Sequence, residues 1–165
     1  MEHENQKQKL LSAYELYADA LFRHAYVRVR DRARARDFVQ EAFIRTWQYF
    51  IGGKDADNIR AFLYKTLTNL IIDESRKKRE SSLEILHDAG FSPVSDERGP
   101  EANAELFRAT RAIENIEEPY RTAVIMRYID DLQPKEIADI LGESENTVSV
   151  RIHRGVKKLR DTLGS

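Results

Sequence analysis

The stretch Asp130-Asp131-Leu132-Gln133-Pro134-Lys135-Glu136-Ile137-Ala138-Asp139-Ile140-Leu141-Gly142-Glu143-Ser144-Glu145-Asn146-Thr147-Val148 decides the fold of the C-terminal half. Pro134 opens a short helix whose inner face is Ile137, Ala138 and Leu141, with Gln133 a weak cap ahead of it. Ala138 is small where a following helix must cross closely, and Gly142 supplies a left-handed residue to end the helix. Ser144 then caps a second helix by accepting from the N–H of Thr147. That second helix buries Val148, Ile152, Val156 and Leu159, and turns Ser149, Val150, Arg151, His153 and Arg154 outward. The spacing is that of a helix-turn-helix whose second helix carries a basic face suited to the major groove of DNA. An αα-hairpin with a solvated charged face is the plainer alternative, but small-residue, turn and cap signals all agree against it.

Working outward, the whole chain reads as helix. No proline precedes Pro93, and Gly52-Gly53 is the only glycine break before Gly90. Apolar residues recur at helical spacing in Leu10, Leu11, Tyr14, Tyr17, Leu21, Phe22 and Ala25. They do so again from Phe38 to Phe50 and from Ile59 to Ile71. Leu106, Thr110 and Ile113 mark a fourth helix, and Pro119 suits the first turn of a fifth that runs to about Ile129. Residues 80–105 hold seven acids against Arg98 alone, together with Gly90, Pro93, Gly99 and Pro100. Basic clusters lie on either side, at Arg76-Lys77-Lys78-Arg79 and from Arg151 to Arg160. The expected architecture is therefore all-α: two small helical bundles joined by an acidic linker, the C-terminal one a helix-turn-helix.

Composition narrows the function classes. The 165 residues include 27 Lys plus Arg, 28 Asp plus Glu and no cysteine, which excludes disulfides and thiolate chemistry. No apolar run approaches the ~20 residues of a membrane span, and the N-terminus lacks a signal-peptide pattern, so a cytoplasmic protein without direct membrane insertion is expected. The four histidines lack metal-ligand spacing, and neither an HExxH nor a Gly-rich phosphate loop is present. No enzyme activity, metal or cofactor is expected.

The run Asp37-Phe38-Val39-Gln40-Glu41-Ala42-Phe43-Ile44-Arg45-Thr46-Trp47, followed by Phe62-Leu63-Tyr64-Lys65-Thr66-Leu67-Thr68-Asn69-Leu70-Ile71-Ile72-Asp73 and the basic cluster, resembles region 2 of bacterial sigma factors. The segment from Ile116 through Arg160 looks like region 4. Two such modules and a short linker match the extracytoplasmic-function (ECF) subfamily of the sigma-70 family. The resemblance implies region 2 over residues 8–80, a linker over 81–100 and region 4 over 101–163. It implies a factor that binds core RNA polymerase, through the β′ clamp coiled coil and the β flap, and directs promoter recognition and transcription initiation. An anti-sigma factor is an implied partner, beside promoter DNA.

Asp37, Gln40 and Glu41 share one helix face, and the resemblance assigns that helix to the clamp coiled coil, with Phe43 and Trp47 extending the contact or serving as core. The loop Ile51–Asn58 and the helix after it are implied to capture a base flipped from the non-template strand of the minus-ten element. Asn69 sits at the matching motif position, and Lys54, Arg60, Tyr64, Lys65 and Arg76 are candidate strand contacts, Tyr64 being equally suited to burial. Gly53 stands where some relatives carry an aromatic, and Phe62 replaces the commoner Trp. Thr147, Ser149, Val150, Arg151, His153 and Arg154 are the candidates for the minus-thirty-five element. Ser149 and Val150 depart from the usual basic residue and Ser. The competing reading is a two-domain helix-turn-helix regulator acting on duplex DNA without core polymerase.

Overall fold

A computed structural model of the chain describes residues 2–82 and 104–164, and among these every regular element is a helix. The chain divides into two compact units, residues 1–95 and 96–165. Most of the expected linker lies outside the described residues; its first two positions, Ser81 and Ser82, belong to the end of a helix.

The first unit is three helices, α1 (Glu2–Val29), α2 (Arg32–Ile51) and α3 (Ile59–Ser82), each packed on the other two. The α1–α2 corner is tight. Arg30 takes a left-handed φ of 55°, and Asp31 caps α2 by accepting from Arg34 N at 3.1 Å. At the far end of α2, Gly53 turns the chain with φ 89°, a conformation that costs glycine little. Asn58 restarts the helix by accepting from Ala61 N at 3.0 Å. The core is Leu21, Ala25, Ala35, Phe38, Val39, Ala42, Phe50, Leu63, Leu67 and Ile71, as periodicity indicates for α2 and α3. Helix α1 departs from its apolar pattern: Leu11 and Tyr14 are exposed, whereas Gln6, Ala13 and His24 are buried. Small Ala13, and not one of the large apolar residues beside it, takes a buried position in this half of the helix. His24 lies inside, 3.3 Å from the Thr68 hydroxyl and edge-on to Tyr64.

The second unit contains α4 (Ala104–Glu114), α5 (Tyr120–Val124), α6 (Pro134–Leu141) and α7 (Glu145–Leu163). Helix α5 does not continue as α-helix to Ile129. It widens over Ile125–Ile129 into a π-helical turn, with Asp130 N donating to Ile125 O at 3.1 Å. Glu118 fixes the start of α5, accepting from Thr122 N at 3.2 Å and from Arg121 Nε at 3.1 Å. Helix α7 crosses α5 at Gly155, where an added Cβ would stand 2.4 Å from Val124 Cγ2. That crossing places Val148, Ile152 and Gly155 inside. Val156 and Leu159, expected in the core, lie half-buried at its margin, as does Leu141 of α6, whose buried residues are Ile137, Ala138 and Ile140.

Candidate functional site

In the second unit the α6–turn–α7 geometry follows from local chemistry. Gly142 has φ 67°, and the N–H of Glu143 returns to Ala138 O at 3.1 Å, ending α6. Ser144 Oγ accepts from Thr147 N at 3.1 Å and donates to Thr147 Oγ1 at 2.8 Å, starting α7. Glu136 reaches back to accept from Gln133 N at 2.9 Å, so a glutamate three residues on supports the weak cap. The exposed wedge of α7 is Asn146, Ser149, Val150, His153, Arg154 and Lys157. Arg151 is half-buried, with its guanidinium donating to Glu143 Oε1 at 3.2 Å. A groove of about 690 Å³ flanks this wedge, bordered by Arg127, Tyr128, His153, Lys157 and Arg160.

In the first unit two surfaces stand out. On α2, Asp37 and Gln40 are exposed and Glu41 is partly so, held by Arg45 Nε at 3.0 Å. Ile44 continues this stripe and is 50% exposed. Beside Asp37 and Glu41 opens a cleft of about 320 Å³, with Phe38 and Leu70 in its wall and the Arg34–Glu74 ion pair alongside. The second surface is the α2–α3 loop with the outer face of α3. Tyr49 and Phe62, ring centroids 4.7 Å apart, lie at its base, and Lys54 Nζ sits 5.5 Å from the Tyr49 centroid. Along α3, Lys65, Asn69 and Arg76 are exposed at the spacing of a single stripe.

Sequence comparison attaches these two units to known proteins. Residues 13–81 match the family model for sigma-70 region 2, and residues 106–159 match that for sigma-70 region 4. The chain is 31% identical over 160 residues to the ECF RNA polymerase sigma factor SigW of Bacillus subtilis, covering 90% of this chain and 86% of that one. It is 33% identical over 153 residues to the ECF sigma factor SigL of Mycobacterium tuberculosis, covering 91% and 86%. The chain belongs to the ECF sigma factors.

The fold agrees. The sigma factor RpoE of Bartonella quintana, solved with the anti-sigma factor NepR, superposes with TM-score 0.70 at 23% identity, covering 98% of both chains. CnrH, solved with the cytosolic domain of CnrY, gives TM-score 0.72 at 21% identity, covering 98% of this chain and 92% of that one.

Several residues singled out from the sigma-factor motifs take other places. Tyr64 is fully buried and faces His24 at 5.7 Å, so it is a core residue and not a strand contact. Arg60 is half-buried on the same side of α3, its guanidinium 5.8 Å from the Tyr17 ring and 6.0 Å from that of Tyr64. Both follow the Leu67–Ile71 face, opposite the Lys65–Asn69–Arg76 stripe. Phe43 is buried edge-on against Tyr14, which takes it off the surface of α2, while Trp47 is half-buried. Arg76 is exposed and pairs with Asp73 at 3.2 Å. Sequence reading missed Ile44, although an isoleucine four residues after Gln40 and three after Glu41 marks an apolar spot in a polar stripe. It also passed over Asn146, in the first turn of α7, where a helix entering the major groove brings side chains to base edges.

Proposed function

We propose that this ECF sigma factor binds core RNA polymerase and directs it to promoters, the first unit engaging the polymerase and the melted minus-ten strand, the second reading the minus-thirty-five duplex. The single observation that carries this reading is the match to regions 2 and 4, in order, on two separate compact units. A regulator acting on duplex DNA alone leaves the region 2 match without a role. Residues 8–80 serve as region 2, 81–100 as the linker and 101–163 as region 4.

The polymerase surface is Asp37, Gln40, Glu41 and Ile44, with the neighbouring cleft receiving a partner side chain and Trp47 at the edge. A stripe of acids around one exposed isoleucine suits a basic, partly apolar helix such as the β′ clamp coiled coil, and the β flap belongs to the second unit. Lys54, Lys65, Asn69 and Arg76 meet the non-template strand. An amide carries both donors and an acceptor for an unstacked base, and the cations suit phosphates. On α7, Asn146, Ser149, Val150, His153 and Arg154 face the groove, with Thr147 and Arg151 at the margin. Arg154 reads guanine or holds phosphate, and Val150 meets a thymine methyl. An anti-sigma factor is the expected inhibitory partner. The work is done in the cytoplasm, by binding and without catalysed chemistry; among the described residues no helix is long and apolar enough to cross a membrane.

Co-purification with core polymerase and run-off transcription from melted promoters test the reading. Asp37→Arg with Glu41→Arg is expected to weaken core association with helicity intact. Asn69→Ala is expected to impair permanganate-detected melting while leaving upstream duplex binding unchanged. Wild-type protein that never supports melting with core overturns the proposal.

A further inference from the structure

The loop after α2 is held from the start of α1. Gln6, only 6% exposed, donates from Nε2 to Lys54 O at 3.2 Å. Lys9 donates to Ala56 O and pairs with Asp55 at 3.2 Å, its ammonium lying 5.8 Å from the Phe50 ring. Three consecutive loop residues are thus restrained by side chains more than 40 positions away in sequence. Local hydrogen bonds hold the loop as well: Gly53 N donates to Phe50 O at 3.0 Å and Lys54 N to Tyr49 O at 3.3 Å.

The chemistry of Gln6 is costly for a purely structural strut. Its partner is a carbonyl, so only the amide N–H can face it, and the buried side-chain oxygen Oε1 has no hydrogen-bond partner among the described residues. An apolar side chain of similar volume would fill the same space with no stranded acceptor. What it would not do is fix the peptide at Lys54. Both Gln6 and Lys9 also precede the segment that matches region 2, which begins at residue 13.

We infer that Gln6 and Lys9 are positioning residues for promoter selectivity: they lock the Lys54–Ala56 backbone in the geometry with which the loop discriminates the flipped minus-ten base. This rests on the base-capture reading given above. A fixed loop presents its donors and acceptors to one base edge, whereas a loosened one accommodates several, and an ångström of misplacement at a positioned group costs up to ~100-fold.

The test uses the full chain with core polymerase and a promoter set carrying each of the four bases at the captured position, with open complex read by permanganate. Gln6→Met with Lys9→Met is expected to lower the ratio of best to worst base by at least about tenfold, chiefly by raising melting at disfavoured bases. Lys9→Arg, which keeps a donor and the ion pair, is expected to retain most of the discrimination. Thermal unfolding of Gln6→Met is expected to be unchanged or higher, opposite to the effect on selectivity. A loop with residues 54–57 replaced by glycines serves as reference. If that loop loses discrimination and the double methionine variant keeps it, the brace is overturned and base capture stands. If neither changes, base capture falls and the brace with it. An equal loss of melting at all four bases overturns the brace as a selectivity device.

Discussion

The two units build their contact surfaces in opposite ways. In the C-terminal unit the proposed groove-facing residues come from one run, Asn146 to Arg154, and are aimed by neighbours in sequence: the left-handed Gly142, the Ser144 cap and the Glu143–Arg151 contact. In the N-terminal unit the surface is composite. An acidic stripe on α2, a loop braced from α1 and an outer stripe on α3 hold their places relative to one another only because three helices pack on a shared core. A locally aimed surface survives small changes elsewhere in its unit. A composite surface depends on the packing beneath it, so damage to that core reaches the site.

The largest expected effect breaks this dependence directly. Leu67 is fully buried in α3, on the side away from Asn69. Leu67→Ala is expected to destabilise the first unit by ~2–5 kcal/mol, the range for a leucine truncated in a packed core. Denaturant unfolding followed at Trp47, the chain's single tryptophan, reports that unit. Upstream duplex binding by the second unit is expected to stay at the wild-type value. A parallel loss of duplex affinity would contradict the independence on which the comparison rests.

The same contrast explains what the sequence disclosed. Helix existence and most of the α2 and α3 cores were legible because apolar spacing is a local property that long helices repeat many times. The turn from Gly142 to Thr147 was legible because each of its hydrogen bonds spans only a few residues. Burial of Tyr64 was not decidable, since an aromatic with a hydroxyl suits a core as well as a strand contact, and its packing against His24 joins residues 40 apart. The exposure of Leu11 and Tyr14 and the crossing at Gly155 belong to the same class, set by which helix lies opposite. The brace by Gln6 and Lys9 was invisible for that reason too: neither residue type at its position signals a partner in a distant loop.

A smaller effect sharpens the comparison within the second unit. Arg154 is exposed, whereas Arg151 is half-buried and already bonded to Glu143. Arg154→Ala is expected to weaken upstream duplex binding by ~1–3 kcal/mol if its contact is a bidentate one to guanine. Arg151→Ala is expected to cost less, because binding DNA through Arg151 requires giving up the glutamate. Glu143→Gln then tightens duplex binding by weakening that competitor and removing a negative charge beside the groove. Gel-shift titrations at two salt concentrations measure all three. Equal losses for the two arginines would show that the Glu143 contact does not hold Arg151 back.

The smallest effects lie at opposite ends of the pH scale, one in each unit. Asp55 is held below its ordinary value of 3.8, first by the Ala56 N–H at 2.8 Å and then by Lys9. Lys158 is held above its ordinary value of 10.5 by its hydrogen bond and charge interaction with Glu117 at 2.9 Å. The signs follow from which form each contact favours. A depressed carboxyl contributes stability above its unfolded value and loses it as pH falls through the folded one, so the Lys9–Asp55 brace fails on acidification below about 3.8. A raised amine contributes below its unfolded value and loses it as pH climbs through the folded one, so the Lys158–Glu117 pair fails only above about 10.5. Both groups are exposed, so salt screens both effects and neither changes global stability much. NMR titration of the Asp55 carboxyl, with the Ala56 amide as reporter, is expected to show a depressed midpoint that moves back toward 3.8 in Lys9→Met but stays below it, because the Ala56 N–H remains. A midpoint unmoved by that substitution would mean that Lys9 holds the loop through the Ala56 carbonyl alone, and the brace would then be insensitive to pH across the acid range.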